Sequence, residues 1–214
     1  MIHYDIQQGS EDWFKIRYIK VGGSTSSQLH VKSDTLLETL LGEMCEPWSF
    51  TDSYTSDAMQ RGNDLEPLAV EDVSKYVGKE FTTVGWVQSD ECKLLGASPD
   101  AISLDSLDII ETKCPSAKAH ISYIRGKVIP PEHIDQCVHY FATLPSLERV
   151  HFASYRPECV VPLFVVTITR DSMVNVGTKA RPVMSTVGDY AQVKIDLAKE
   201  LEQKLEIELN QLTF

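Results

Sequence analysis

The chain has 214 residues, of which 43% are hydrophobic and 24% are charged. This composition excludes a disordered or collagen-like chain and predicts one globular domain over residues 1–214. The sequence contains no stretch of 18 apolar residues and no basic N-terminal region followed by an apolar run. We therefore expect no membrane span and no secretory signal, and a cytoplasmic location. The five cysteines form no C-x-x-C pair, which argues against a zinc finger or an iron–sulfur cluster and favours reduced thiols.

The net charge of -11 is unusually negative for a protein that binds phosphates, because such binding relies on Lys and Arg. The charges are unevenly distributed along the chain. Residues 13–33 and residues 112–131 each hold four bases and no acid, whereas residues 34–111 hold 17 acids and four bases. This distribution permits a basic groove on an acidic body.

Near the N-terminus, residues 10–18 (SEDWFKIRY) predict a helix with Ser10 as its N-cap. The following VGGSTSSQLHV places two glycines before Ser24, Thr25 and Ser26, which predicts a turn that leads into a helix N-terminus. Such a terminus offers free backbone N–H groups to an anion. Capping alone would also explain the serines, but the nearby Arg17 favours the anion-binding interpretation.

Two helices are predicted next, at residues 34–45 and at Asp57–Val77, with a loop at residues 46–56 between them. One face of the second helix consists of small, apolar or acidic residues: Met59, Gly62, Glu66, Ala69 and Val73. Pro67 removes a helical hydrogen bond, so either one helix ends at Glu66 or a kink aims Glu66 inward. Glu66 is therefore a candidate site residue, and a surface acid is the alternative.

The central feature is the segment 96–115, GASPDAISLDSLDIIETKCP, which predicts a β-hairpin preceded by a strand at residues 81–87. Glu111 and Lys113 lie two apart on the second strand and share a face, and Asp100 can lie beside them. Two carboxylates and an amine at one sheet edge suit a hard divalent cation and a phosphodiester. A solvated hairpin edge is the alternative, but the apolar run that leads into Glu111 indicates burial.

The C-terminal half is predicted to contain a basic loop and short helix at 116–127, a helix at 131–144, strands at Arg149–Tyr155 and 160–169, and a helix at about 189–212. The strand at 160–169 is almost continuously apolar, which predicts a central position in the sheet. On the 131–144 helix, His133, Gln136 and Tyr140 share a polar face. This face either meets solvent or orients a nucleophilic water or a phosphate.

Six motifs follow one another along the chain: WFKIR-x3-VGGS, G-x3-E-P-x-A, GASPD, IETKCP, Q-x3-Y and HFASYRP. Together they resemble the phage lambda exonuclease family, also called YqaJ-type viral recombinases, within the PD-(D/E)XK nuclease superfamily. The resemblance extends from about residue 13 to residue 169. It implies an α/β (α+β) fold with a restriction-endonuclease-like core, in which helices flank a central mixed β-sheet.

The resemblance also implies a role for each matching residue. The metal ligands are Glu66, Asp100, Glu111 and the backbone carbonyl of Thr112, which hold two Mg²⁺ ions, with Mn²⁺ as a substitute. The catalytic residues are Lys113, Glu111, Asp100 and Gln136. The residues that bind DNA and its 5′ phosphate are Arg17, Ser24 and Tyr140. His133 stands where lambda exonuclease has a tyrosine, so the resemblance assigns it no role.

The implied activity is a metal-dependent deoxyribonuclease that digests the 5′-ended strand of linear double-stranded DNA. It releases 5′-mononucleotides and leaves 3′ overhangs for recombination by strand annealing. The implied partners are duplex DNA with a free 5′ end, further copies in a homotrimer, and a phage single-strand annealing protein, in a bacterial host or a bacterium carrying a prophage.

Two other functions suit the same residues. The first is an endonuclease that cuts DNA internally, and the second, less readily, is a non-catalytic DNA-end-binding protein. A covalently closed circular duplex separates the two nucleases, because an end-dependent exonuclease leaves it intact. Nucleotide release that fails with every divalent ion would favour the binding protein.

Overall fold

The computed structural model of the chain describes residues 1–50, 56–178 and 180–212. The helices are α1 (Glu11–Ile16), α2 (Thr35–Cys45), α3 (Asp57–Val77), α4 (Ala117–Gly126), α5 (Pro131–Thr143) and α6 (Val187–Leu212), with a 3₁₀ helix at Gly23–His30. The strands are β1 (Ile2–His3), β2 (Phe81–Thr82), β3 (Trp86–Gln88), β4 (Gly96–Ala97), β5 (Ala101–Ser103), β6 (Asp108–Lys113), β7 (Arg149–Tyr155), β8 (Leu163–Ile168), β9 (Met173–Asn175) and β10 (Met184–Thr186). The loop predicted at 46–56 includes residues 51–55, which lie outside the described residues.

The helix starts and ends follow local capping. Ser10 accepts a hydrogen bond from the Trp13 N–H at 3.2 Å at the start of α1, as its sequence predicts. Helix α3 ends at Gly78, whose φ of 71° lies in the left-handed region that favours glycine. Helix α3 continues through Pro67 without a break. Ala69 and Val73 on the predicted face are buried, whereas Met59, near the N-terminal end of α3, is exposed.

The main sheet has the strand order β2-β5-β6-β7-β8. Strands β6 and β7 are parallel, with Lys113 opposite Ser154, and the other neighbours are antiparallel. Helix α3 packs on one face through Val73, which contacts the cluster around Ile110. Helix α5 packs on the other face, where Phe141 joins the core that contains Ile109. This arrangement confirms the predicted mixed α/β fold.

Two strand predictions are corrected by the sheet order. The apolar run 160–169 is not central, because among the described strands β8 pairs only with β7 and lies at the edge of the sheet. Val160, which precedes β8, is fully exposed. The predicted strand 81–87 divides in two. Phe81–Thr82 pairs with β5 in the main sheet, whereas Trp86–Gln88 lies between β1 and β4 in a small separate sheet.

No helix within the described parts of the chain is both long enough and apolar enough to cross a membrane. All five cysteines are free thiols. The C-terminal helix α6 packs against α2, α5 and the 3₁₀ helix. It therefore forms part of the same core as the sheet.

Gly96 is required where the small sheet meets α5. A Cβ at this position would lie 1.9 Å from Cζ2 of Trp86, and Trp86 is a large side chain that is only 1% exposed. The Gly96 carbonyl also accepts a hydrogen bond from Nε2 of His139 on α5 at 2.9 Å. The small sheet therefore packs closely against α5 at this glycine and is hydrogen-bonded to it.

We predict that Gly96→Ala lowers the free energy of unfolding by about 1–3 kcal/mol, because overpacking displaces Trp86. Gly42→Ala is the matched control. Gly42 lies inside α2 with no atom within 4 Å of its added Cβ, so alanine should leave stability unchanged or raise it by up to about 1 kcal/mol. Urea denaturation measures both variants, and equal stability of Gly96→Ala and wild type would contradict this packing.

Candidate active site

Asp100 is held next to the strand that carries Glu111 and Lys113. Strand β5 pairs with β6 so that Ala101 faces Ile110, which sets Asp100 at the level of Glu111. Oδ2 of Asp100 accepts hydrogen bonds from the N–H and the hydroxyl of Thr112, both at 2.6 Å. The predicted hairpin therefore forms, and it brings Asp100 to β6 between the two predicted site residues.

Glu111 is the most enclosed of the predicted acids, with 1% exposure. Its Oε1 accepts a hydrogen bond from the Lys113 ammonium, and its Oε2 accepts one from the Tyr140 hydroxyl. Lys113 therefore lies on the same face of β6 as Glu111, as the spacing of two residues requires. Both oxygens of the Glu111 carboxylate have charged or polar partners.

Helix α5 adds Gln136 and Tyr140, which are four residues apart and share one helical face. Nε2 of Gln136 donates to the Tyr140 hydroxyl at 3.2 Å, so a chain of hydrogen bonds connects Gln136 through Tyr140 to Glu111. Gly23 in the 3₁₀ helix lies close to this chain, because a Cβ there would be 3.1 Å from Cγ of Gln136. The predicted polar face of this helix therefore points into the site and away from solvent.

Glu66, Asp100 and Glu111 form one electrostatically coupled group. Burial and then the negative charges of Glu111 and Glu66 raise the pKa of Asp100 well above its ordinary value. Burial and Glu111 likewise raise the pKa of Glu66. Burial alone would lower the pKa of Lys113, but the charges of Glu111 and Asp100 outweigh it and raise that pKa. Three carboxylates thus face one ammonium group, and a further positive charge would relieve their repulsion.

The donor set of this group fits a hard divalent cation, since Mg²⁺ prefers carboxylate and carbonyl oxygens. Across residues 1–50, 56–178 and 180–212, however, no three Asp, Glu, His or Cys side chains surround one point closely enough to hold a metal ion. The oxygens of Glu111 and Asp100 are occupied by hydrogen bonds from Lys113, Tyr140 and Thr112. The predicted acids lie together without a preformed cage, and metal binding by them and by the Thr112 carbonyl stays a prediction.

A cavity of about 190 Å³ lies beside the acids and is lined by Trp13, Arg17, Ser24, Gln136 and Tyr140. The guanidinium carbon of Arg17 lies 3.7 Å from the centre of the Trp13 ring, which fixes its orientation. Burial lowers the pKa of Arg17 from its ordinary value, and none of the ion pairs among the described residues involves it. The cavity therefore holds a cation without an anionic partner, and Ser24 lies at its exposed rim.

His133 lies outside this hydrogen-bond chain. Its ring stacks on Phe152 at 5.3 Å between centroids, and burial followed by the charge of Lys113 lowers its pKa to about 4. Its Nε2 is 3.4 Å from the Tyr123 hydroxyl. His133 is therefore neutral at pH 7, and its role stays unassigned.

Gln8 also belongs to the site, although no sequence pattern predicts it. Its Nε2 donates to the carbonyl oxygens of Val84 and Pro99, both at 2.9 Å, and Pro99 directly precedes Asp100. Gln8 also lines both the Arg17 cavity and a second cavity of about 430 Å³ that is lined by Glu66 and Asp100. It lies in an irregular N-terminal segment with no periodic pattern, so nothing in the sequence singles it out.

A second feature that the sequence did not reveal is the buried ion pair of Lys194 and Asp135. Lys194 on α6 is fully buried, and its Nζ lies 2.6 Å from Oδ1 of Asp135. The hydroxyl of Ser26 donates to the backbone carbonyl of Asp135 at 3.2 Å. This group joins α6 and the 3₁₀ helix to α5 at the residue next to Gln136. Helical periodicity predicts that a lysine lies on a solvated face, so the burial of Lys194 could not be predicted from the sequence pattern.

Comparisons with known proteins agree with this geometry. The model of the YqaJ-like viral recombinase domain matches residues 12–144, whereas no curated protein matches the chain. An alkaline exonuclease from Laribacter hongkongensis is 26% identical with a TM-score of 0.74, over 95% of this chain and 96% of that one. Its complex with dAMP matches equally well. A phage-related exonuclease from Haemophilus somnus 129PT is 13% identical with a TM-score of 0.51, over 89% and 96% of the two chains, and shows a likeness in fold alone.

The family model covers more than half of the chain, and it includes all of the motif residues from Trp13 to Tyr140. The resemblance drawn from the order of those motifs is confirmed. The coupled acids on the hairpin and the polar face of α5 both lie within the matched range. This protein therefore belongs to the family of YqaJ-like viral recombinase domains.

Proposed function

We propose that the chain is a Mg²⁺-dependent 5′-to-3′ exonuclease that acts on linear double-stranded DNA and leaves 3′ overhangs for strand annealing. The observation that carries the proposal is the coupled group of Glu66, Asp100, Glu111 and Lys113 beside a cavity that contains Arg17. The family and the structural match to an alkaline exonuclease support a nuclease of this type. The dAMP bound to that exonuclease is a 5′-mononucleotide, which supports the same class of product.

In this proposal Glu66, Asp100, Glu111 and the carbonyl of Thr112 would hold two Mg²⁺ ions, or Mn²⁺ in their place. Bound metal of this kind polarises a phosphoryl oxygen and lowers the pKa of a coordinated water. Lys113 supplies a positive charge next to Glu111 and would orient the attacking water; because its pKa is raised, it stays an ammonium group and cannot take up the proton of that water. Gln136 and Tyr140 fix the Glu111 carboxylate and line the path to the Arg17 cavity.

Arg17 makes the enzyme dependent on DNA ends. A terminal phosphate carries more negative charge than an internal phosphodiester, and a half-buried guanidinium without an anionic partner binds such a group strongly. Ser24 at the rim adds a hydroxyl donor. The cavity is small, which favours a chain end over a strand that passes through.

The resemblance to the lambda exonuclease family extends the proposal to assembly and partners. A homotrimeric ring would thread duplex DNA with a free 5′ end, and a phage single-strand annealing protein would take up the 3′ overhang. The setting is the cytoplasm of a bacterial host or of a bacterium that carries a prophage. An endonuclease is the second candidate, because the same acids serve internal cleavage equally well.

Lys113→Ala should lower the rate of the chemical step at least about 10²-fold, because the positive charge beside the reacting phosphate is lost. Duplex binding, measured by fluorescence anisotropy with Ca²⁺ in place of Mg²⁺, should change little. Lys199→Ala is the control, since Lys199 is exposed and pairs with Glu91 on another surface. Single-turnover nucleotide release measures the effect, and near-normal cleavage by Lys113→Ala would remove this lysine from the mechanism.

Arg17→Ala should abolish the preference for a 5′-phosphorylated end over a 5′-hydroxyl end, mainly through a higher KM for the phosphorylated duplex. The physical reason is the loss of the charge-assisted hydrogen bonds from the guanidinium. Lys15→Ala provides a control on the same helix, because Lys15 is exposed and lies near Trp48, outside the cavity. An unchanged ratio of kcat/KM for the two ends would show that Arg17 does not recognise the terminal phosphate.

Asp100→Asn should raise the Tm of the metal-free protein at pH 8 while abolishing stabilisation by added Mg²⁺. The folded-state pKa of Asp100 is raised, so its ionised form destabilises the fold above that pKa, and the amide removes the repulsion. Bound Mg²⁺ stabilises only a chain that has its ligands. Equal gains in Tm from Mg²⁺ in wild type and Asp100→Asn would exclude Asp100 as a ligand.

Asp105→Asn is a control for the Asp100 measurement, because its expected change in Tm has the opposite sign. The Ser103 hydroxyl and Lys79 lower the pKa of Asp105 to about 2, so its ionised form stabilises the fold. Its amide variant should therefore lower the Tm in EDTA. It should leave the gain in Tm from Mg²⁺ unchanged, because Asp105 lies at the opposite end of β6 from Glu111 and Lys113.

A further inference from the structure

Two arginines converge on one exposed glutamate next to the active site. Nη2 of Arg61 on α3 lies 3.1 Å from both carboxylate oxygens of Glu158, and Nε of Arg156 lies 3.3 Å from Oε2 of the same side chain. Glu158 follows β7 and its side chain is 58% exposed. A single carboxylate therefore occupies the space between two guanidinium groups at the protein surface.

This cluster borders the catalytic group directly. Nη1 of Arg61 donates to the carbonyl of Cys114 at 3.2 Å, and Nη1 of Arg156 donates to the carbonyl of Pro115 at 3.1 Å, so both arginines hold the backbone that follows Lys113. The Cys114 thiol lies within the electrostatic reach of Arg61, Asp100, Glu66 and Lys113 alike. The cluster and the coupled acids thus share the edge of the sheet where β6 and β7 end.

The geometry around Glu158 differs from that of a structural ion pair. Asp108, at the other end of β6, is fully buried and accepts hydrogen bonds from Lys79 and Arg149. By contrast, Nε of Arg156 is a buried donor that makes no hydrogen bond within the described residues, although it lies close to Glu158. An exposed carboxylate that leaves one donor unsatisfied holds the arginines weakly.

We propose that Arg61 and Arg156 form a binding site for a backbone phosphate of the nucleic acid, and that Glu158 occupies this site in the free protein. A phosphodiester offers the same pair of oxygens as a carboxylate, and guanidinium groups bind both in the bidentate geometry. The site would contact DNA beyond the scissile phosphate. It would provide local positive charge for DNA binding on a chain whose net charge is -11. This inference rests on the proposed function, since it takes the substrate to be a nucleic acid.

Glu158→Gln tests the proposal, because the amide keeps the shape of the side chain but removes the charge that competes with phosphate. We expect the Kd for a short fluorescent duplex, measured by anisotropy in Ca²⁺, to fall about 3- to 10-fold, and the dependence of log Kd on log salt to steepen by about one charge. Glu148→Gln is the matched control. Glu148 is 51% exposed and pairs with Arg149 at 3.1 Å, at the far end of the same two strands, so it reports the general effect of one charge.

A second variant shows whether the gain comes from the arginines. Arg61→Lys in the Glu158→Gln background keeps the charge but cannot bind a phosphate in the bidentate geometry, so most of the gain in affinity should disappear. Equal affinities of Glu158→Gln and Glu148→Gln, with normal digestion of linear duplex by the wild type, would overturn this inference alone. A wild-type protein that neither binds duplex nor releases nucleotides in Mg²⁺ would overturn the proposed function and this inference together.

Discussion

Repulsion between carboxylates at the end of strand β6 is the constraint on which the site depends. The charge of Glu111 contributes to the raised pKa values of Asp100 and Glu66, and one ammonium group, that of Lys113, offsets the three negative charges. Like charges at short range in a buried setting destabilise the fold unless a bound cation compensates them. The protein keeps this arrangement because three separate elements hold the acids from different sides.

The two ends of β6 show the contrast between structural and functional charge. Its first residue, Asp108, is surrounded by cationic side chains, and although burial alone would raise its pKa, Lys79 and Arg149 lower it. Near its last residue, Asp100 has a raised pKa. One end of the strand is thus electrostatically satisfied and the other holds an excess of negative charge. Perturbed carboxylates of this second kind concentrate at functional sites.

The elements that carry the site were largely predictable from the sequence. Hydrophobic periodicity and capping residues locate helices α3 and α5, and the spacing of two residues puts Glu111 and Lys113 on one face of a strand. The sequence also places Asp100 directly before β5, so that pairing of β5 with β6 brings it beside Glu111. These predictions rest on contacts that are close in sequence or on a period that the residues themselves display.

The remaining features depend on which distant segments meet, and no local pattern encodes that. Strand β8 was predicted to be central but lies at the edge of the sheet, because an apolar run does not reveal whether a second strand pairs with it. Gln8 reaches Pro99 and Val84 across more than 70 residues, and Lys194 is buried by an acid on another helix. The arrangement of the carboxylates into a group without a formed cage also depends on side-chain hydrogen bonds that the sequence does not specify.

Metal-dependent digestion from a DNA end can be measured with one duplex in two forms, a linear form with a label at one 5′ end and a covalently closed circle. Each form is incubated with the protein and Mg²⁺, and the products are sized over time. We expect labelled 5′-mononucleotides from the linear duplex, an intact circle, and no products from either form in EDTA. Conversion of the circle to linear fragments, or metal-independent release of nucleotides, would contradict this expectation.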